Sequence, residues 1–200
     1  MARPQLTSVE VERFRDVAAA AALELVEQEG VASLTLRRLA KRLGCSYAKP
    51  YTYYRDKEQL LDAVRGRAFD RLAEFITGAA EAGPLEPGVY LRFAFENPEA
   101  FRIMFELRQD FVSDETREAQ ARAWKVCAQP FHDAVAAGTL VGDPELIAHV
   151  VWAALHGLAS LALANQLHLG KTVDEVAVGL RAVVDGFRPG SQKGEARWLS

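Results

Sequence analysis

Apolar residues recur along this chain at helical spacing, and polar punctuation interrupts them at regular intervals. Phe14, Val17, Ala18, Ala21, Ala22 and Leu25 lie three and four apart, after a Thr7–Glu10 capping-box pair and before Gly30. Thr35 can cap a second helix with Leu36, Leu39, Ala40 and Leu43 inward, ended by Gly44. Ser46 can cap a third. Asp56 with Gln59 can cap a fourth, which carries Leu60, Leu61, Val64, Ala68, Leu72, Phe75 and Ile76 toward Gly83-Pro84. Asn97-Pro98 and Asp143-Pro144 each set a capping side chain before a proline suited to the first helical turn. Ser113 opens a segment that ends at Gly138, and Thr172 with Glu175 starts a last helix. That helix aligns Val173, Val176, Ala177, Leu180, Val183, Val184 and Phe187 in one stripe. No run alternates with period two long enough to suggest a sheet. The pattern predicts an all-α chain of about nine helices.

Composition narrows the class. The chain has 200 residues, half of them apolar, enough for one large core or two modest ones. Its two cysteines, Cys45 and Cys127, are too few and too separated for a disulfide framework or a thiolate metal site. The N-terminus lacks a signal-peptide layout, and the longest apolar run, 150–164, is short for a membrane span and contains His156 and Ser160. These features predict a soluble, cytoplasmic protein. A net charge of −3 hides an asymmetry: residues 33–57 hold seven Lys/Arg and one acid, while the rest of the chain is acidic. Such an island suits an anionic partner met at one place, or is a solvated basic helix face. A boundary is expected near the fourth helix, giving domains at 1–60 and 61–187, with a loose tail at 188–200.

Within the island lies SYAKPYTYYRDKE, residues 46–58, with four tyrosines in eight positions. Helix, glycine turn and short helix form a helix-turn-helix layout from Thr35 through Gly44-Cys45 to Ser46 onward. On a helical wheel Tyr47, Pro50, Tyr51 and Tyr54 share one side, and Ala48, Lys49, Thr52 and Tyr53 the other. One side can pack while the other, with the helix N-terminus, faces a groove.

The stretch VAAAAALELVEQEGVASLTLRRLAKRLGCSYAKPYTYYRDKEQLLDAV resembles the N-terminal DNA-binding domain of TetR-type transcriptional regulators over residues 9–64. The matching features are the first helix ending in Glu-Gly, the Thr35 cap, LAKRLG, Ser46, Tyr51, an aromatic at 54, Lys57-Glu58 and Leu60. The resemblance implies an all-α homodimer that binds a palindromic double-stranded DNA operator, represses transcription, and lets go when a small molecule fills its C-terminal domain. By position it implies phosphate contacts for Thr35, Tyr53 and Lys57, and places Arg37, Tyr47, Ala48, Lys49, Tyr51 and Thr52 nearest the bases, with Ser46 at the start of that segment. Tyr47 stays open between base reading and a packed or merely exposed ring. Tyr54 stands where the family usually has Phe, so its hydroxyl must find the surface or a partner. Pro50 departs from the commoner Leu and can tighten the start of the segment.

Trp152-x3-His156-Gly157, preceded by ENPEAFRIMFEL at 96–107, is similar to one branch of the same family over residues 90–187. Phe93, Phe101, Met104, Phe105, Trp124, Phe131, Trp152 and His156 are the candidate ligand-binding residues, around a largely apolar small-molecule effector; singly, each aromatic also fits ordinary core packing. The stretch from Phe75 to Tyr90 is short beside typical members, which shortens the fifth helix. Helices at 143–169 and 172–187 are too apolar for a lone small domain and can pair with a twofold copy. That pairing would set two recognition elements about 34–36 Å apart.

No Gly-rich phosphate loop, HExxH or paired nucleophile and base occurs, so no enzyme and no cofactor are expected. Glu145, His149 and His156 can share a face, but the two histidines lie seven apart, and no metal is expected there. A helical adaptor that binds protein through its acidic half is the other class this sequence allows.

Overall fold

The computed structural model describes residues 7–82, 88–105, 111–167 and 172–191. Among these the chain forms α1 (Ser8–Glu29), α2 (Leu36–Arg42), α3 (Lys57–Ala82), α4 (Gly88–Glu96), α5 (Pro98–Phe105), α6 (Asp114–Ala136), α7 (Pro144–Leu163) and α8 (Val173–Asp185), with two 3-10 turns and no strand. The capping chemistry sets most boundaries. Thr7 and Thr172 each accept a bond from the backbone N–H three residues on, and Glu10 and Glu175 close the reciprocal half of each box. Thr35 accepts from the Arg38 N–H at 3.1 Å, Asp56 from the Gln59 N–H at 2.9 Å, and Asp143 from the Glu145 N–H at 3.0 Å. Gly44, at φ 62°, supplies the left-handed residue that turns the chain out of α2.

Three expectations are corrected. The segment after Ser46 is a series of turns with a 3-10 turn at Pro50–Thr52, not an α-helix, and no side chain caps it. Pro50 has no N–H to donate to the Ser46 carbonyl four residues back, so the Lys49 N–H takes that acceptor at 3.0 Å and the chain tightens. Eight α-helices are found among the described residues. Next, α7 ends at Leu163 rather than 169, because the chain turns through Asn165 at φ 53°, a conformation asparagine tolerates. Finally, Val17 is exposed; Ala19, Leu23 and Val26 join Ala18, Ala22 and Leu25 in the face that α1 buries. The expected stop at Gly83-Pro84 and the tail beyond residue 191 lie outside the described residues.

The chain divides into two compact units: Met1–Phe75 with Glu96–Ala123, and Ile76–Phe95 with Trp124–Ser200. In the first, α1 and α2 bury alanine and leucine against each other and against Leu34, Tyr54, Leu60 and Val64, while α5 packs on α1. Asp62 and Arg65 are almost fully buried there, at 3% and 2% exposure. The Asp62 carboxylate accepts from the Ser113 hydroxyl at 2.5 Å and the Thr116 hydroxyl at 3.0 Å. Arg65 lies 3.9 Å from Asp62 and donates to the Ile103 carbonyl at 3.0 Å. α3 is thus tied to the N-terminus of α6 and to α5. Gly66 permits the close approach, since a Cβ there would stand 3.1 Å from the Thr116 hydroxyl.

In the second unit α7 and α8 pack lengthwise, and the Val141 N–H donates to the Phe187 carbonyl at 2.8 Å. α7 buries Ile147, Val151, Leu155 and Leu158, whereas Leu146, Val150 and Leu161 are exposed. α8 buries no residue fully, and its predicted stripe is only half-covered. The 150–164 run extends back to Pro144 as a helix of 20 residues with mean hydropathy 1.8, long and apolar enough to cross a membrane by length and composition alone.

The buried pair carries a stability prediction. Replacing Asp62 by Ala leaves the Arg65 charge buried without its partner and strips acceptors from Ser113 and Thr116. Urea denaturation is expected to show a loss of roughly 3–5 kcal/mol, against less than 1 for the exposed pair of Arg117 and Asp114.

Candidate nucleic-acid interface and ligand cavity

The basic island is partly neutralised from within. Arg38 pairs with Glu29, Arg42 with Glu24 at 2.6 Å, and Arg55 with Asp56 at 2.8 Å. Arg37, Lys41, Lys49 and Lys57 are exposed and make no ion pair among the described residues. These four are the cations left to meet an anion. Two are held by rings: the Arg37 guanidinium lies 4.9 Å from the centroid of Tyr47, and Lys49 Nζ lies 4.9 Å from that of Phe14.

The tyrosines divide by environment. Tyr54 is fully buried, and its hydroxyl donates to the Arg15 carbonyl at 3.1 Å. Burial pushes its pKa from 10 up to about 12, with nearby Arg15 opposing and Asp16 reinforcing. Tyr53 stacks on Phe14 at 4.0 Å and is half-buried. Tyr47 and Tyr51 remain exposed, together with Thr35, Ser46, Ala48, Lys49 and Thr52. Of the wheel side that holds Tyr47, Pro50, Tyr51 and Tyr54, only Pro50 and Tyr54 are buried, because 3-10 turns do not preserve the 100° step. Phe14, which braces both Tyr53 and Lys49, is a residue the sequence marked only as core.

The second unit holds a half-open cavity of about 450 Å³. Aliphatic side chains of α7, Val184 of α8 and Ile76 of α3 form much of the wall, and Tyr90, Trp124, Phe131 and Trp152 supply its rings. Trp152 donates to the Tyr90 hydroxyl at 3.2 Å, and that hydroxyl lies 3.0 Å from His156 Nδ1. Burial drives the Tyr90 pKa well above the usual tyrosine range, and that of Cys127, also in the wall, to about 11. Beside the cavity, Glu145 accepts from Trp124 at 2.9 Å and bonds His132 at 2.9 Å, and these bonds draw its pKa down. The His149 ring lies tilted at 45° to Trp124 with ring centroids 4.0 Å apart, and its Nδ1 donates to the Glu145 carbonyl at 2.8 Å.

The predicted ligand residues fall in different places. Trp124, Phe131 and Trp152 line the cavity, and His156 stands behind Tyr90. Phe93 is fully buried in the same unit without lining it. Phe101, Met104 and Phe105 belong to the first unit, where Phe105 packs edge-on against Phe69 at 5.6 Å. Tyr90, Cys127 and Arg188 were not foreseen as wall residues; Tyr90 and Cys127 are single polar positions inside helices and carry no periodic signal, and Arg188 follows the end of α8.

Comparison with known proteins fits both halves. Residues 19–64 match the family described as bacterial regulatory proteins, tetR family, and residues 88–187 match the tetracyclin repressor-like C-terminal domain. The chain belongs to the TetR family of transcriptional regulators. Its helix-turn-helix domain is followed by a helical C-terminal domain. The chain is 31% identical, at a TM-score of 0.73, to a protein of unknown function from Rhodococcus sp. RHA1, over 87% of this chain and 95% of that one. A TetR-family transcriptional regulator from Pectobacterium atrosepticum shares the fold at 15% identity and a TM-score of 0.70, covering 94% of this chain and 100% of that one. Another, from Marinobacter aquaeolei VT8, does so at 19% and 0.59, covering 91% and 99%. No curated protein matches the sequence.

The helix-turn-helix of this TetR-family chain rests on the Tyr54 bond. Replacing Tyr54 by Phe is expected to cost about 1 kcal/mol at neutral pH in chemical denaturation. Because the folded state holds the phenolic proton more tightly, wild-type stability should fall as pH rises from 10 through about 12, and the variant should lack that part of the fall.

Proposed function

We propose that this chain is a cytoplasmic repressor that binds a palindromic operator as a homodimer and lets go when a small molecule fills the cavity of its second unit. The observation that carries this reading is the set of four exposed cations without an ion pair among the described residues, Arg37, Lys41, Lys49 and Lys57, in the same stretch as exposed Tyr47, Ala48, Tyr51 and Thr52 of an otherwise acidic chain. Phosphate attraction is sequence-independent, so these cations would supply affinity and salt dependence. Thr35 and Tyr53 would add hydroxyl donors to phosphate. Arg37 and the Tyr47–Thr52 side chains would reach base edges, with Arg37 braced by the Tyr47 ring.

The dimer would form through α7 and α8. Leu146, Val150, Leu161 and Val178 are exposed on that pair, and the α8 stripe is half-covered within one chain. A twofold copy would bury these positions and fix the spacing of the two reading heads. An effector then acts only by preferring a conformation whose spacing no longer fits the operator.

Duplexes spanning the DNA that flanks the gene, titrated at several salt concentrations, test this reading. Selective binding should weaken steeply with salt, and Lys49→Ala or Lys57→Ala should each lower the log–log salt slope by about 1. No selective binding at any salt would sink the proposal. For the dimer, Leu161→Glu with Val178→Glu should give a monomer by sedimentation and lose duplex binding; an unchanged dimer would place the interface elsewhere.

A further inference from the structure

One aromatic ring outside the turn after Ser46 touches residues on both sides of its 3-10 stretch. Phe14, on α1, is half-buried and stacks on Tyr53 with ring centroids 4.0 Å apart and planes 24° from parallel. The Lys49 ammonium nitrogen lies 4.9 Å from the centroid of the same ring. Between Lys49 and Tyr53 runs the 3-10 turn Pro50–Thr52. The Lys49 carbonyl accepts from the Thr52 N–H and the Pro50 carbonyl from the Tyr53 N–H, each at 3.0 Å. The next residue of α1 extends the contact, since the Arg15 carbonyl accepts from the Tyr54 hydroxyl at 3.1 Å. Two consecutive residues of α1 therefore hold the stretch 49–54.

Their effects differ. The Tyr54 bond anchors the stretch to α1, whereas the Phe14 ring acts on two side chains. A lysine in water spreads over many rotamers, and fixing one on binding costs entropy. The negative face of a ring attracts an ammonium without neutralising it, so the charge stays available to an anion. Stacking engages the face of the Tyr53 ring and leaves the hydroxyl at its edge.

We propose that Phe14 is a positioning residue for DNA binding: its ring holds the Lys49 ammonium and the Tyr53 phenol in place, so that both meet the duplex with less side-chain freedom left to lose. This rests on the reading of Lys49 and Tyr53 as DNA contacts. Phe14 itself needs no contact with the nucleic acid.

The test is a set of mutant cycles in the full chain, read by titration of a duplex from the DNA flanking the gene that the wild-type chain selects. Phe14→Leu and Phe14→Met each keep an apolar side chain and remove the ring, and circular dichroism identifies the folded variants to be compared. Each is expected to weaken binding by about three- to tenfold, and Phe14→Trp, which restores a ring face, by less than about twofold. In a background of Lys49→Ala with Tyr53→Phe, the loss caused by Phe14→Leu should shrink to less than about twofold. In Lys57→Ala, whose lysine starts α3, it should stay at its full size. Equal losses in every background, or no loss from removing the ring, would make Phe14 a packing residue and overturn the inference while leaving the repressor reading in place. If Lys49→Ala with Tyr53→Phe leaves duplex affinity unchanged, those two contacts fail and the inference falls with them.

Discussion

The first unit depends on a carboxylate taken out of water. Asp62 gives up hydration and is compensated by two hydroxyls and a guanidinium, from Ser113, Thr116 and Arg65. Each partner sits on a surface that the pairing brings together: Ser113 and Thr116 at the start of α6, and Arg65 on α3 reaching the Ile103 carbonyl at the end of α5. A buried ion pair is seldom a large source of stability over an apolar alternative. Its effect is to make other arrangements costly, because any slip of α6 along α3 strands a charge. Gly66 fits the same constraint, as the helices meet where a side chain would collide with Thr116.

The same rule explains the two buried tyrosines. Burial of a phenol is favourable for its ring and unfavourable for its hydroxyl unless a partner is found. Tyr54 finds the Arg15 carbonyl, and Tyr90 finds Trp152 and His156. In the first case the bond joins the turn after Ser46 to α1 and leaves the neighbouring tyrosines outside. In the second it places a polar chain in an apolar wall. One kind of residue thus ties the turn after Ser46 to α1 in one unit and sets a polar group into an apolar wall in the other.

How far the fold could be read depended on the range of the interaction. The capping pairs at Thr7, Thr35, Asp56, Asp143 and Thr172 act within three residues, and all five appear at helix starts. The apolar stripes of α3 and α8 were equally legible. The segment at 46–54 was not, because the periodicity argument assumed an α-helical step while Pro50 removes the N–H that step requires. The assignment of Phe101, Met104 and Phe105 to the same pocket as Trp152 was beyond reach for another reason. Aromatic residues on adjacent helices look alike in sequence whether they face a cavity or, as Phe101 does, a filled core.

Sequence alone determined that the chain is helical, where its helices start, that its cations gather at residues 33–57, and which family those motifs resemble. These are properties of local bonding and composition. Tertiary structure decided which cations remain uncommitted after Glu24, Glu29 and Asp56 take their share, and which tyrosines stay exposed. It also decided that Tyr90, Trp152 and His156, 62 and 66 residues apart, form one polar chain. Those outcomes turn on distances between groups far apart in the chain, which no pattern within a helix encodes.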